Sequence, residues 1–238
     1  MTALKILVTG DVCSNAELQQ LLARVVALQQ SHGPFGCLLC SGSLFADGEG
    51  FKLSVTSPSP AVYPIPTYLF DSRGIPKEIL MNKSLLPPNL NVVIGANGNS
   101  FVGLATVCKL TVAFIMNYSD SVTPAIAFKE VQDIVSNNGY RGCDLLLSNE
   151  WPADMHHFLP DSDLQVLKEC GVGVGVGSTM IADFAAIVKP RYHIATGRKS
   201  FYQRPPYRYK LSLFRSKSTR KRRLITNASS FPTFLLQK

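Results

Sequence analysis

Metal-assisted cleavage of a phosphodiester needs hard oxygen and imidazole ligands gathered at the ends of neighbouring strands. The chain offers Asp11, Asp71 and His193 toward such a set. A two-metal site of this kind takes an Asp and a His after the first strand and an Asp after the second. It also takes an Asn-His after the third and further histidines later. Here the first strand ends in Asp11-Val-Cys13, the second in Gly42-Ser43 and the third in Asp71-Ser-Arg73, and the strand at 144–147 ends in Asn149. Only Asp11 is a ligand of the right kind in the right place, and one carboxylate cannot hold two metals. The residues therefore read as a site that lacks its ligands, with Asp11 as a vestigial position and no metal or cofactor expected. The competing reading is an active phosphodiesterase with the unconventional set Asp11, Asp71 and His193.

Other spacings that suggest chemistry carry less. The strand ending Leu7-Val-Thr-Gly10 invites a dinucleotide site, but Asp11, Val12, Cys13 and Ser14 follow where that phosphate turn needs glycines. Gly171-Val-Gly-Val-Gly-Val-Gly177 lacks the Lys-Ser/Thr ending of a phosphate loop. Cys37-Leu-Leu-Cys40 has the spacing of a metal knuckle, yet the intervening leucines mark a strand interior and no second cysteine pair exists. Cys143, His156, His157 and Cys170 fit no zinc-ligand pattern.

Charge is distributed unevenly. Of 24 Lys and Arg, 14 fall in residues 189–238, whereas all 16 Asp and Glu precede them. A field of one sign attracts polyanions and is screened by salt. Phe201, Tyr202, Tyr207 and Tyr209 interleave with these cations, and aromatic faces beside guanidinium groups are surfaces on which unstacked bases lie. The candidate RNA or partner contacts are Arg191, His193, Arg198, Lys199, Tyr202, Arg204, Tyr207 and Arg208. A structural alternative stays open: Pro205 and Pro206 hold an extended backbone, and the tyrosines then pack over their own sheet edge. Residues 215–223 carry six cations in nine, a pattern shared by nuclear-localisation and nucleic-acid patches and by solvated tails.

These residues must be positioned by an α/β framework. Lys5 to Thr9 reads as a buried strand. Ser14 and Glu17 form a capping box ahead of a helix with Leu18, Leu21, Leu22, Val25 and Leu28 on one face. Further strands are expected at 37–40, 67–70, 91–94, 109–116 and 144–147, and helices at 126–135 and 163–169. A loop rich in Ser and Pro covers 46–66, and Gly and Asn make a turn region between the strands at 91–94 and 109–116. Each strand ends in a small polar cluster, so the loops gather at the strand C-termini.

At 238 residues with 46% hydrophobic content the chain buries a substantial core. The longest apolar run, 171–188, is interrupted by glycines and Asp183, so no membrane span is expected. The N-terminus reads as a strand rather than a signal peptide. Six scattered cysteines, mostly beside apolar runs, indicate reduced buried thiols and an intracellular setting. The sequons at Asn82, Asn117 and Asn227 then carry no meaning.

Four segments give the chain a resemblance to a family: residues 7–11, residues 37–45, Gly142-Cys-Asp-Leu-Leu-Leu-Ser-Asn-Glu-Trp-Pro152, and Lys189-Pro-Arg-Tyr-His193 with Tyr202-Gln-Arg-Pro-Pro-Tyr-Arg208. Together they resemble the N-terminal domain of the CwfJ-type splicing proteins, homologues of the RNA lariat debranching enzyme. The likeness spans roughly residues 4–209. It implies a calcineurin-like metallophosphoesterase fold, a two-sheet α/β/β/α sandwich with a degraded metal site, over 1–209; residues 210–238, outside the likeness, read from their composition as a basic, poorly ordered C-terminal extension. In active debranching relatives the segment after the Tyr of Lys-Pro-x-Tyr ends in a His-x-His pair. Those positions fall here at Gly197 and Lys199. The resemblance further implies a nuclear, spliceosome-associated, non-catalytic protein that assists lariat debranching. Its implied partners are the debranching enzyme, spliceosomal proteins and intron lariat RNA. Family members continue into C-terminal domains containing cysteine and histidine. Residues beyond Arg208 do not align with them.

Overall fold

The computed structural model describes residues 4–12, 14–45, 51, 61–116, 123–137, 139–157, 159–171, 176–197, 202–205, 223–226 and 234–237. In chain order the first elements are β1 (Lys5–Thr9), α1 (Asn15–His32), β2 (Cys37–Cys40), β3 (Thr67–Leu69), α2 (Lys77–Met81) and β4 (Leu90–Val92). Next come β5 (Val102–Val107), β6 (Leu110–Ile115), α3 (Thr123–Val135), β7 (Leu145–Ser148), α4 (Asp161–Glu169) and α5 (Thr179–Val188). The last four are β8 (Tyr192–Ala195), β9 (Tyr202–Gln203), β10 (Arg223–Thr226) and β11 (Phe234–Gln237).

The chain divides into two units, residues 1–101 with 230–238 and residues 102–229. The first unit carries a sheet of order β11-β1-β2-β3-β4, parallel from β1 to β4 with β11 antiparallel at the β1 edge. α1 begins where the Ser14 hydroxyl accepts the Glu17 amide at 3.2 Å, satisfying one of the orphan donors of the first turn. Its Leu18, Leu21, Leu22 and Val25 are buried against Leu7, Leu38 and Leu69. Leu28 is only partly covered at the rim of that cluster. Each leucine so enclosed contributes about 2 kcal/mol of burial.

The second unit holds the order β5-β6-β7-β8-β10-β9. β5 and β6 form an antiparallel hairpin, and β6, β7, β8 and β10 run parallel. The hairpin turn is Cys108-Lys109, with φ of 50° and 66°. Two positive φ values in a two-residue loop match the twist of the flanking strands. Such turns favour Asn and Gly, and Cys-Lys is not a signal for one, so β5 is absent from the elements expected on sequence. α5 likewise reads on sequence only as an apolar run. Ser178 caps it by accepting the Ile181 amide, and Lys189 ends it in the left-handed region with Pro190 next. Phe128 of α3 and Phe184 of α5 meet with ring centroids 5.5 Å apart.

The expected division at residue 209 is revised. β10 and β11 lie in the segment expected to be an extension, and they add a strand to each sheet. Most of the loop expected at 46–66, and all of 206–222, lies outside the described residues.

Candidate functional site

In the first unit, three strand ends bring Asp11, Ser43, Asp71 and Arg73 together. Asp11 Oδ1 accepts the Ser43 amide at 2.9 Å. Gly42 makes this possible, since a Cβ there would lie 2.4 Å from the Asp11 nitrogen. Asp71 is fully buried. Arg73 stands two residues beyond it, a spacing that lets the side chain fold back onto the carboxylate. The Arg73 guanidinium donates through Nε to both Asp71 oxygens at 3.0 and 2.8 Å, and through Nη2 to Oδ2 at 2.5 Å. The same Nη2 lies 3.5 Å from Asp11 Oδ1. Hydrogen bonding to Asp71 holds the guanidinium pKa above its ordinary value. Both carboxylates therefore already face a permanent cation, which forms directional hydrogen bonds and cannot be deprotonated. This pair of carboxylates does not fit a metal ion. On sequence Arg73 marks only the end of a strand; the Asp-x-Arg spacing is the signal that could have found the pair.

The second unit holds the remaining candidate positions. His193 lies on β8, 1% exposed, with Nε2 2.8 Å from the Ser148 hydroxyl at the end of β7. The hydroxyl also donates to the Glu150 carbonyl at 2.8 Å. With its one proton used there, Ser148 accepts from a protonated Nε2, which assigns the tautomer and leaves Nδ1 an acceptor without a hydrogen-bond partner. Desolvation lowers the His193 pKa to about 3, so the ring is neutral at physiological pH. Gly197 has φ +93°, and a Cβ there would lie 1.9 Å from the Asn149 carbonyl oxygen. With this backbone any side chain at position 197 would meet the Asn149 carbonyl and be strained.

The expected RNA contacts separate into three groups. Arg191 is exposed, its guanidinium carbon 5.5 Å from the Tyr192 ring centroid. His193, Tyr202 and Arg204 are buried, at 1%, 4% and 5% exposure, and are corrected from surface contacts to parts of the core. Arg204 donates to the Met155 carbonyl at 2.9 Å and to the His157 carbonyl at 2.6 Å. Tyr202 packs with Trp151, Met155, Leu167 and Ala195. These positions follow the structural alternative raised by the sequence. Arg198, Lys199, Tyr207 and Arg208 lie outside the described residues. Of the residues weighed for zinc, Cys143 is buried just ahead of β7, where desolvation pushes its thiol up to about 12.

Two of the shared segments pack on each other. Gly142, at φ +109°, lets its backbone approach the Lys189 carbonyl, where a Cβ would come within 2.4 Å. The Cys143 carbonyl accepts the Arg191 amide at 2.9 Å, seating β8 beside β7.

No family model matches the chain. It is 32% identical over 228 residues to zinc finger CCCH domain-containing protein 59 of Oryza sativa subsp. japonica, covering 85% of this chain and 35% of that protein. It is 29% identical over 213 residues to the CWF19-like protein 1 homolog of Caenorhabditis elegans, with 86% and 37% covered. CWF19-like protein 1 of Homo sapiens is 28% identical over 217 residues, with 86% and 38% covered. The chain belongs to the CWF19-like family. It spans little more than a third of the length of the curated relatives it matches. Among solved structures, GAP50, the anchor in the inner membrane complex of Plasmodium, superposes with a TM-score of 0.54 at 12% identity, covering 97% of this chain and 73% of that one. That likeness is one of fold. For this CWF19-like chain it accords with a mixed α/β protein built on two sheets.

Proposed function

We propose that the chain is a non-catalytic, nuclear, splicing-associated protein of metallophosphoesterase-like fold that assists intron lariat debranching by binding RNA or the debranching enzyme. CWF19-like kinship supports the splicing context. The observation that carries the non-catalytic reading is the Arg73 guanidinium bound to Asp71 and reaching Asp11, which occupies both carboxylates with an internal cation. The closed position at Gly197 and the buried neutral ring of His193 weigh in the same direction. An active enzyme built on Asp11, Asp71 and His193 would need these three groups available to a metal.

The surface that would meet RNA is reduced to Arg191 and, on the sequence, Arg198, Lys199, Tyr207 and Arg208. The test is a lariat-RNA assay of the purified chain, with and without debranching enzyme. The chain alone leaves the branch uncleaved, and it raises turnover or retains RNA when the enzyme is present. Arg191→Glu combined with Arg208→Glu lowers RNA affinity and reduces the salt slope by about one for each phosphate that is no longer neutralised. Manganese-dependent cleavage by the chain itself, abolished in Asp11→Ala, would overturn the reading.

A further inference from the structure

A second cluster lies away from the strand ends, on the turn that joins β7 to α4. Asp154, His156 and His157 bring a carboxylate oxygen and two imidazole nitrogens within 4.8 Å of one another. Among the described residues this is the one group of three metal-ligating side chains so placed. The two rings stand edge to face, their centroids 4.4 Å apart, and His157 Nε2 lies 4.0 Å from Asp154 Oδ1. We infer that this turn is a binding site for a divalent transition ion, zinc by preference, with water completing its shell. The inference is independent of the functional proposal above.

The donor set selects the class of metal. Two imidazoles with one carboxylate suit borderline ions such as zinc, whereas magnesium and calcium take oxygen alone. Zinc bonds of about 2.0–2.1 Å place tetrahedral ligands roughly 3.3 Å apart. The present spacing closes to that value by rotation of side chains that are more than half exposed at Asp154 and His157.

The backbone beneath these side chains is held from inside. Between Asp154 and His156, Met155 turns inward and is buried with Trp151, Leu167 and Tyr202. The Arg204 guanidinium donates to the carbonyls of Met155 and His157 and so fixes the backbone on either side of the His156–His157 pair. The His157 amide closes the turn onto the Asp154 carbonyl at 3.0 Å. A turn held by the core does not have to be ordered by the ion, which removes part of the entropic cost of binding. On sequence, His156 and His157 taken with Cys143 and Cys170 fit no zinc-ligand pattern. The fold sets Asp154 beside the histidines.

The experiment is calorimetric titration of the metal-stripped full chain with zinc chloride, together with histidine side-chain NMR. A single equivalent is expected to bind and to shift two imidazoles. Asp154→Asn, His156→Gln and His157→Gln each weaken binding at least roughly tenfold, while circular dichroism and melting temperature stay unchanged because the altered side chains are not in the core. Absence of zinc binding, or undiminished affinity in the three variants, overturns the inference.

Discussion

Arg73 and His193 show how single side chains decide what a strand end can do. Asp71 is fully buried and Arg73 is its charge partner, with the guanidinium side chain 39% exposed. Removing a partner from a buried charge costs several kcal/mol, and the exposure of this cation reduces the figure. Arg73→Ala should therefore destabilise the protein by about 2 kcal/mol in urea unfolding at neutral pH, and Arg73→Ala with Asp71→Leu should recover part of that stability. His193 gives a pH signature. Its folded-state pKa lies near 3, below the ordinary value of 6.5. Above pH 6.5 the ring is neutral in both states and the contribution to stability is complete. As pH falls toward 3 the unfolded chain takes up a proton that the folded chain refuses. Stability then declines by about 1.4 kcal/mol per pH unit. Denaturation at stepped pH should show this slope in the natural chain, with a shallower one in His193→Gln.

At the level of elements, the shared motifs act mainly as joints. Lys189-Pro190 stops α5, Gly142 lies against the Lys189 carbonyl, and the loop after β8 turns at Gly197 against Asn149. Gly197→Ala combines a positive φ with a contact shorter than any real Cβ makes. It should lower stability by about 2 kcal/mol or more, read as a fall in melting temperature. Gly197→His should do the same and add no metal affinity. The motif of Lys189 to His193 is thus explained by the helix stop and the register of β8 on β7. Tyr202 and Arg204, expected to face RNA, instead enclose Trp151 and the 153–157 turn. Nothing in the local pattern separates an inward-facing arginine from a phosphate-binding one. Both sit among aromatics and prolines, and the difference is whether carbonyls lie within reach.

At the level of the whole chain, each unit gains a late strand. β11 returns to the outer edge of β1, pairing Lys5 with Gln237 and Val8 with Phe234. Without it, β1 would present a row of unpaired amides and carbonyls, a template for association. Deleting residues 230–238 should reduce the melting temperature and raise the aggregated fraction in size-exclusion chromatography, whereas equal behaviour would show that the β1 edge does not need this strand.

The amino-acid sequence by itself determined the α/β framework, because β1, α1, β2, β7 and α4 carry strong periodicity, caps and apolar runs that act over a few residues. The residue types at the strand ends, with Asp11 the one ligand of the right kind in the right place, were also legible there and carry the expectation of a vestigial site. Tertiary structure decided what the remaining polar residues do. The pairing of Arg73 with Asp71, the burial of Arg204 against two carbonyls 47 and 49 residues away, and the placing of Asp154 beside His156 and His157 all depend on backbone path and register. β5 and β10 are hidden in the sequence for the same reason: their strands are weak alone and exist because a neighbouring edge supplies their hydrogen bonds.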